Sequence, residues 1–150
     1  PNRRYIHRNL YFPSLNNHEL NEIAVAVDTS GSIQKEALCR FSAELSAILE
    51  AFPAKLHLLY ADMAVNRYQV QENWALPLEF NAKGGGGTDF RPSFDFLEKE
   101  RIIPACLIYL TDLECRLFPE KAPSYPVLWA VTGRGGIDPP FGQRIDLDGG

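Results

Sequence analysis

Ile23-Ala24-Val25-Ala26-Val27-Asp28-Thr29-Ser30-Gly31-Ser32 is the stretch on which the fold turns. Five apolar residues in succession stop abruptly at an acid. A strand with one wet face alternates apolar and polar residues. An unbroken apolar run of this length instead predicts a strand buried on both faces, in the middle of a parallel sheet. Asp28 then falls at the carboxyl end of the strand, and the residues after it make the turn. Downstream, Leu38, Phe41, Leu45, Ile48, Leu49 and Phe52 recur at helical spacing, which predicts a helix over residues 34–51 with one apolar face, ended by Pro53.

The same signature returns at Ala105–Thr111, a second apolar run that stops at an acid, Asp112. Leu56–Ala61 and Arg67–Gln71 read as strands joined through the short Ala64–Asn66 connection, a hairpin. Leu76–Phe80 reads as a short extended piece. Arg91–Arg101 reads as a helix with Pro92 in its first turn, where proline is tolerated, and with Phe90, Phe94 and Leu97 facing inward. Tyr125–Val131 and Arg144–Leu147 complete the strands. Apolar strands alternating with helices predict an α/β fold: a doubly wound, mostly parallel sheet flanked by helices. In such sheets ligands bind beyond the carboxyl ends of the strands, where Asp28 and Asp112 both fall.

With 150 residues the chain makes one domain, and 45% hydrophobic with 23% charged residues excludes a disordered or fibrous class. The net charge of −4 argues against a nucleic-acid partner. It also conceals an asymmetry, because residues 1–10 hold Arg3, Arg4 and Arg8 and no acid. We expect residues 1–20 to be a basic, extended lead-in arm and residues 21–150 to be the domain. The longest apolar run, 105–110, is far short of the roughly 20 residues that span a bilayer, and no signal-peptide pattern is visible, so a cytoplasmic setting without membrane association is expected. The chain begins at Pro1 rather than Met and reads as a piece of a longer protein. Cys39, Cys106 and Cys115 are odd in number and lack metal-ligand spacing. They read as reduced structural thiols, Cys39 on the helix and Cys106 in the strand behaving as small hydrophobes.

Asp28, Ser30 and Ser32 alternate, so a tight loop can aim three oxygens at one point, and Gly31 lets the backbone curl without a Cβ clash. Thr88 follows the four glycines Gly84–Gly87, and Asp112 supplies a second carboxylate. Carboxylates and hydroxyls without a nearby His or thiolate suit Mg²⁺, Mn²⁺ or Ca²⁺ rather than zinc. The glycine run lacks the Gly-Lys-Ser/Thr ending of a phosphate-binding loop. A helix cap made by Asp28 and Ser30 would leave Thr88 and Asp112 unexplained. Asp89 reads as a cap of the next helix, Asp62 as a turn acid and Glu114 as a solvated side chain. His7, His18 and His57 read as surface or packing residues, and Trp74 and Trp129 as core or half-buried.

Asp28-x-Ser30-x-Ser32, Thr88 after a glycine-rich loop, and Thr111-Asp112 at a strand end resemble, in type and order, the metal-ion-dependent adhesion site of von Willebrand factor A domains. The resemblance covers about residues 20–135. It implies that Ser30, Ser32 and Thr88 touch the ion, that Asp28 and Asp112 bind it directly or through water, and that an open position takes an Asp or Glu from a partner protein. The pattern departs at Leu113, where the family often carries Gly. Arg3-Arg4-Tyr5 with Leu10–Leu15 is similar to a bacterial subgroup in which a metallopeptidase-like domain precedes a domain of this type. Related domains often work beside MoxR-type AAA+ ATPases, which the resemblance implies as partners. The function expected is a metal-dependent protein-binding module, with no catalysis by the domain alone. Two alternatives stay open. One is a Mg²⁺-dependent hydrolase or phosphatase with Asp28 as nucleophile, which would want a second acid where Ser30 stands. The other is a scaffold of the same fold whose metal site is constitutively filled.

Overall fold

The apolar run at 23–27 is the middle of the sheet. The computed structural model describes residues 21–29, 35–72, 87–133 and 136–147. In chain order these form β1 (Asn21–Asp28), α1 (Lys35–Ala51), β2 (Ala54–Ala61), β3 (Val65–Gln71), α2 (Arg91–Lys99), β4 (Cys106–Thr111), β5 (Val127–Val131) and β6 (Gln143–Asp146). The strand order is β3-β2-β1-β4-β5-β6. β1 pairs in parallel with β2 on one side and with β4 on the other, and β5 and β6 extend the parallel part. Among the described strands only β3 runs antiparallel, against β2. The hairpin between them turns slightly earlier than the sequence suggests, because Asp62 Oδ1 accepts the N–H groups of Met63 and Ala64 at 2.6 and 3.3 Å.

Alternation along β1 feeds two cores. Ile23, Val25 and Val27 face α1, whose Phe41, Leu45, Ile48 and Leu49 cover them; Leu38 and Phe52, at the ends of that stripe, are half-buried. Ala24 and Ala26 face the other way, toward Phe90, Phe94 and Leu97. Helices therefore lie on both faces, and the fold is the doubly wound α/β sheet that the sequence predicts. The small alanines leave room for rings on the α2 side. Trp129, fully buried, stacks on Tyr109 at 5.2 Å and meets Phe90 edge-on at 5.2 Å. Such ring pairs contribute about 0.5–1.5 kcal/mol beyond their area burial.

α2 ends at Lys99, two residues before the expected boundary. Arg101 turns left-handed with φ +58°, and the N–H groups of Arg101 and Ile102 return to the carbonyls of Glu98 and Leu97 at 3.1 and 2.8 Å. This is a Schellman ending, with Ile102 packing back onto the core beside Leu97. The crossover from β4 to β5, residues 112–126, contains no helix.

Cys106 is buried, and burial pushes its thiol up to about 12. Cys39 differs from expectation: it lies on the exposed side of α1 rather than in the core. His57 has the expected packing role, buried in β2 between Glu22 Oε1 and Tyr68 Oη, each 2.7 Å from a ring nitrogen. The 1–20 arm with Arg3, Arg4, Arg8, His7 and His18, and also Trp74 and the 76–80 segment, lie outside the described residues. Among the described residues no helix is long and apolar enough to cross a membrane.

Candidate metal centre at the carboxyl edge of the sheet

From β1 the chain winds to β2 on one side, while the later strands build outward from β4 on the other. The crevice between β1 and β4 is thus the switch point of the sheet, where open α/β folds place ligands. Asp28 is the last residue of β1 and Asp112 the first after β4. Val27 sits opposite Leu110, so Asp28 and Thr111 leave the sheet side by side. Both are fully buried, and the Thr111 hydroxyl donates to Asp28 Oδ2 at 2.7 Å. Thr111 Oγ1 in turn accepts the Leu113 N–H at 3.1 Å. A hydroxyl has one proton to give, and that accepted bond helps aim it at the carboxylate.

Thr29 continues from Asp28 with its N–H on the Ala61 carbonyl at 2.8 Å. Its buried hydroxyl oxygen has no hydrogen-bond partner among the described residues. Asp112 is nearly buried, and its Oδ1 accepts the Glu114 N–H at 3.0 Å. Glu114 is exposed, as expected, and the nearby Asp112 carboxyl raises its pKa above the ordinary glutamate value.

Thr88 reaches this edge by a bridge. Asp89 N–H donates to the Asp62 carbonyl, past the end of β2, at 3.0 Å. On the other side Phe90 N–H donates to the Leu117 carbonyl at 3.1 Å, and the Cys115 thiol donates to the Thr88 carbonyl at 3.1 Å. Because β1 lies between β2 and β4, the Thr88–Phe90 segment crosses the carboxyl end of β1. The N-cap of α2 is Phe90, with no side-chain cap bond, rather than Asp89 as expected; Asp89 stands one residue earlier, and its Oδ1 accepts the Arg91 backbone N–H at 3.0 Å. The Arg91 guanidinium adds bonds of 3.0 and 2.9 Å, and this pairing holds the Asp89 carboxyl below the ordinary range.

Asp28, Thr88 and Asp112 thus come to one edge, while Ser30 and Ser32 lie outside the described residues. Among the described residues no three His, Cys, Asp or Glu side chains form a metal-binding group. The described donors here are two carboxylates and a threonine hydroxyl, an all-oxygen set that suits a hard divalent cation.

The profile of the VWA-like domain (DUF2201) family matches residues 23–148. The chain belongs to this family. An uncharacterized protein of Thermotoga maritima is 36% identical over 101 residues, which is 66% of this chain and 24% of that protein. The chain therefore spans about a quarter of the length of the relative it matches.

This VWA-like chain makes a left-handed turn at Leu113, φ +57°, the position where the resemblance leads one to expect glycine. A non-glycine residue there costs about 1–2 kcal/mol. Complete burial of the Leu113 side chain in the aromatic-face core offsets it, at about 1.5–3 kcal/mol. Thr111 as the donor to Asp28 is the residue that spacing alone misses. The signal was present in the two parallel strands that both stop at an acid, since pairing them puts the residue before Asp112 beside Asp28.

Proposed function

We propose that this VWA-like domain is a divalent-cation-dependent protein-binding module. Asp28, Ser30, Ser32, Thr88 and Asp112 hold Mg²⁺, with Mn²⁺ or Ca²⁺ as substitutes, and the ion takes an Asp or Glu side chain from a partner protein. The supporting observation is the buried Asp28 carboxylate at the switch point, hydrogen-bonded to Thr111 and flanked by the nearly buried Asp112. A divalent ion there neutralises two charges that the fold keeps almost out of water, where ionised groups are costly without compensation. Mg²⁺ retains exchangeable waters, which leaves a position for a partner's carboxylate.

The domain works by binding rather than catalysis, in a cytoplasmic setting. Its partner presents an acidic side chain. A metallopeptidase-like domain of the same parent protein and a MoxR-type AAA+ ATPase are the partners to test first. The first fits a relative of which this chain matches only 24%.

Calorimetric titration with each cation, paired with thermal unfolding, tests the proposal. Wild type releases or absorbs heat and unfolds at higher temperature with saturating cation, since a ligand that binds only the native state stabilises it. Asp28→Ala shows neither effect. No heat with wild type, or equal thermal shifts in both proteins, contradicts the proposal. An acidic peptide should then bind only the cation-loaded chain; a permanently filled scaffold would ignore the peptide, and a phosphatase would turn over a phosphoester with Mg²⁺.

A further inference from the structure

The loop after β5 grips the turn that carries Asp112. Thr132 N–H donates to the Thr111 carbonyl at 3.0 Å, and Ile137 N–H donates to the Leu113 carbonyl at 3.0 Å. Between these two anchors lies Gly136, at φ +88°. A Cβ at Gly136 would collide with the Asp112 carbonyl oxygen and lie 2.9 Å from Leu113 Cβ and 3.2 Å from the Leu113 carbonyl oxygen. Only glycine allows both this backbone conformation and this approach.

We infer that Gly136 is a positioning residue for both site carboxylates, an inference that rests on the proposed cation site. The contacts form a continuous chain. Gly136 lies against the Asp112 carbonyl and the Ile137 N–H donates to the Leu113 carbonyl, so the two flank both peptides of the left-handed turn at Leu113. That turn points the Leu113 N–H at Thr111 Oγ1, and the Thr111 hydroxyl donates its hydrogen bond to Asp28 Oδ2. Asp112 is positioned directly, and its Oδ1 is fixed by the Glu114 N–H one residue beyond Leu113. A methyl group at position 136 must displace the Asp112–Leu113 peptide, and the displacement reaches Asp112 at once and Asp28 through Thr111.

The test compares wild type, Gly136→Ala and the double variant Gly136→Ala/Leu113→Gly. Mg²⁺ affinity is measured by calorimetry well below the unfolding temperature, and amide hydrogen exchange is followed without cation. Gly136→Ala is expected to bind Mg²⁺ about tenfold or more weakly, the usual effect of losing a group that orients metal ligands. Its Leu113 and Glu114 amides lose protection while those of β1 and β2 keep theirs. Adding Leu113→Gly removes a buried side chain and lowers stability, yet it frees the turn from its conformational penalty and removes one clash. Affinity should therefore recover in part as stability falls, which a merely destabilised protein would not do.

If Gly136→Ala does not fold, Thr111→Val breaks the same chain one link nearer Asp28, and it too should weaken Mg²⁺ binding. Wild-type affinity in Gly136→Ala overturns the inference, or in Thr111→Val if that variant stands in. Undiminished Leu113 and Glu114 protection in Gly136→Ala also overturns it. A wild-type chain that takes up no cation overturns the proposed function instead, and the exchange comparison still decides whether Gly136 holds the turn.

Discussion

The two faces of the sheet are built by different rules. On the α1 side the filling is mostly aliphatic, and one 17-residue helix covers much of it. On the α2 side β1 contributes only Ala24 and Ala26, and rings from a nine-residue helix, the strands and irregular segments fill the space. A long helix closes most of its backbone hydrogen bonds within itself. Irregular segments must close theirs against other parts of the chain. Hence Thr88–Phe90 is bonded to Asp62 and Leu117, and Thr111–Leu113 to Thr132 and Ile137. By strand alternation Asp28 follows Ala24 and Ala26 to this side, and Thr111 follows Leu107 and Tyr109. The candidate site therefore grows out of the face held by cross-bracing, while the α1 face serves as its foundation.

Removing a keystone from each face tests that contrast most severely. Trp129→Ala should cost about 3–5 kcal/mol and Leu45→Ala about 2–5 kcal/mol by chemical denaturation. The folded fraction of Leu45→Ala should keep its cation affinity, because Leu45 belongs to the core on the face opposite the one from which Asp28 and Thr111 emerge. Trp129→Ala should weaken it. Equal losses of affinity would break the distinction between the faces.

A smaller effect is expected from Thr111→Val. The buried Asp28 carboxylate loses a hydrogen bond, at a cost of about 1–3 kcal/mol measured by the same method. An unchanged denaturation midpoint would mean that this bond adds nothing to the edge.

Arg91→Ala probes the bracing through pH. Arg91 holds the Asp89 carboxyl below its ordinary range, so the pair contributes stability above that range and loses it as the pH falls through the lowered value. The stability gap between wild type and Arg91→Ala should be present at neutral pH and close in acid. A gap that persists unchanged in acid would assign the effect to packing instead.

The mildest probe is alkylation. Exposed Cys39 on α1 should react in the native protein, whereas buried Cys106, its thiol pushed up to about 12, should react only on unfolding. Native-state labelling of Cys106 would show that the aliphatic face opens more readily than its packing implies.

The difference between the faces also explains what the sequence made legible. Period-based patterns mark the α1 face well: the stripe from Leu38 to Phe52 predicts which side of the helix is covered, and only its ends are less buried than expected. The runs ending in Asp28 and Asp112 mark the ligand edge for the same reason, since a strand buried on both faces must be apolar until it emerges. Cross-bracing has no period. Nothing near Leu113 in the chain announces that Gly136 makes room for its turn, and Thr111 is tied to Asp28 by strand pairing across 83 positions. Cys39 departs from the sequence expectation because helical phase outweighs residue type: it lies next to Leu38 but on the outward side of the helix.

The central claim is that the carboxyl edge between β1 and β4 holds a divalent cation. A crystal soaked with Mn²⁺, with an anomalous difference map recorded at the manganese edge, tests it most directly. We predict one strong peak among Asp28, Ser30, Ser32, Thr88 and Asp112, with water or a neighbouring molecule's carboxylate in the remaining position. A map without a peak there, or with its strongest peak away from Asp28, would contradict the claim.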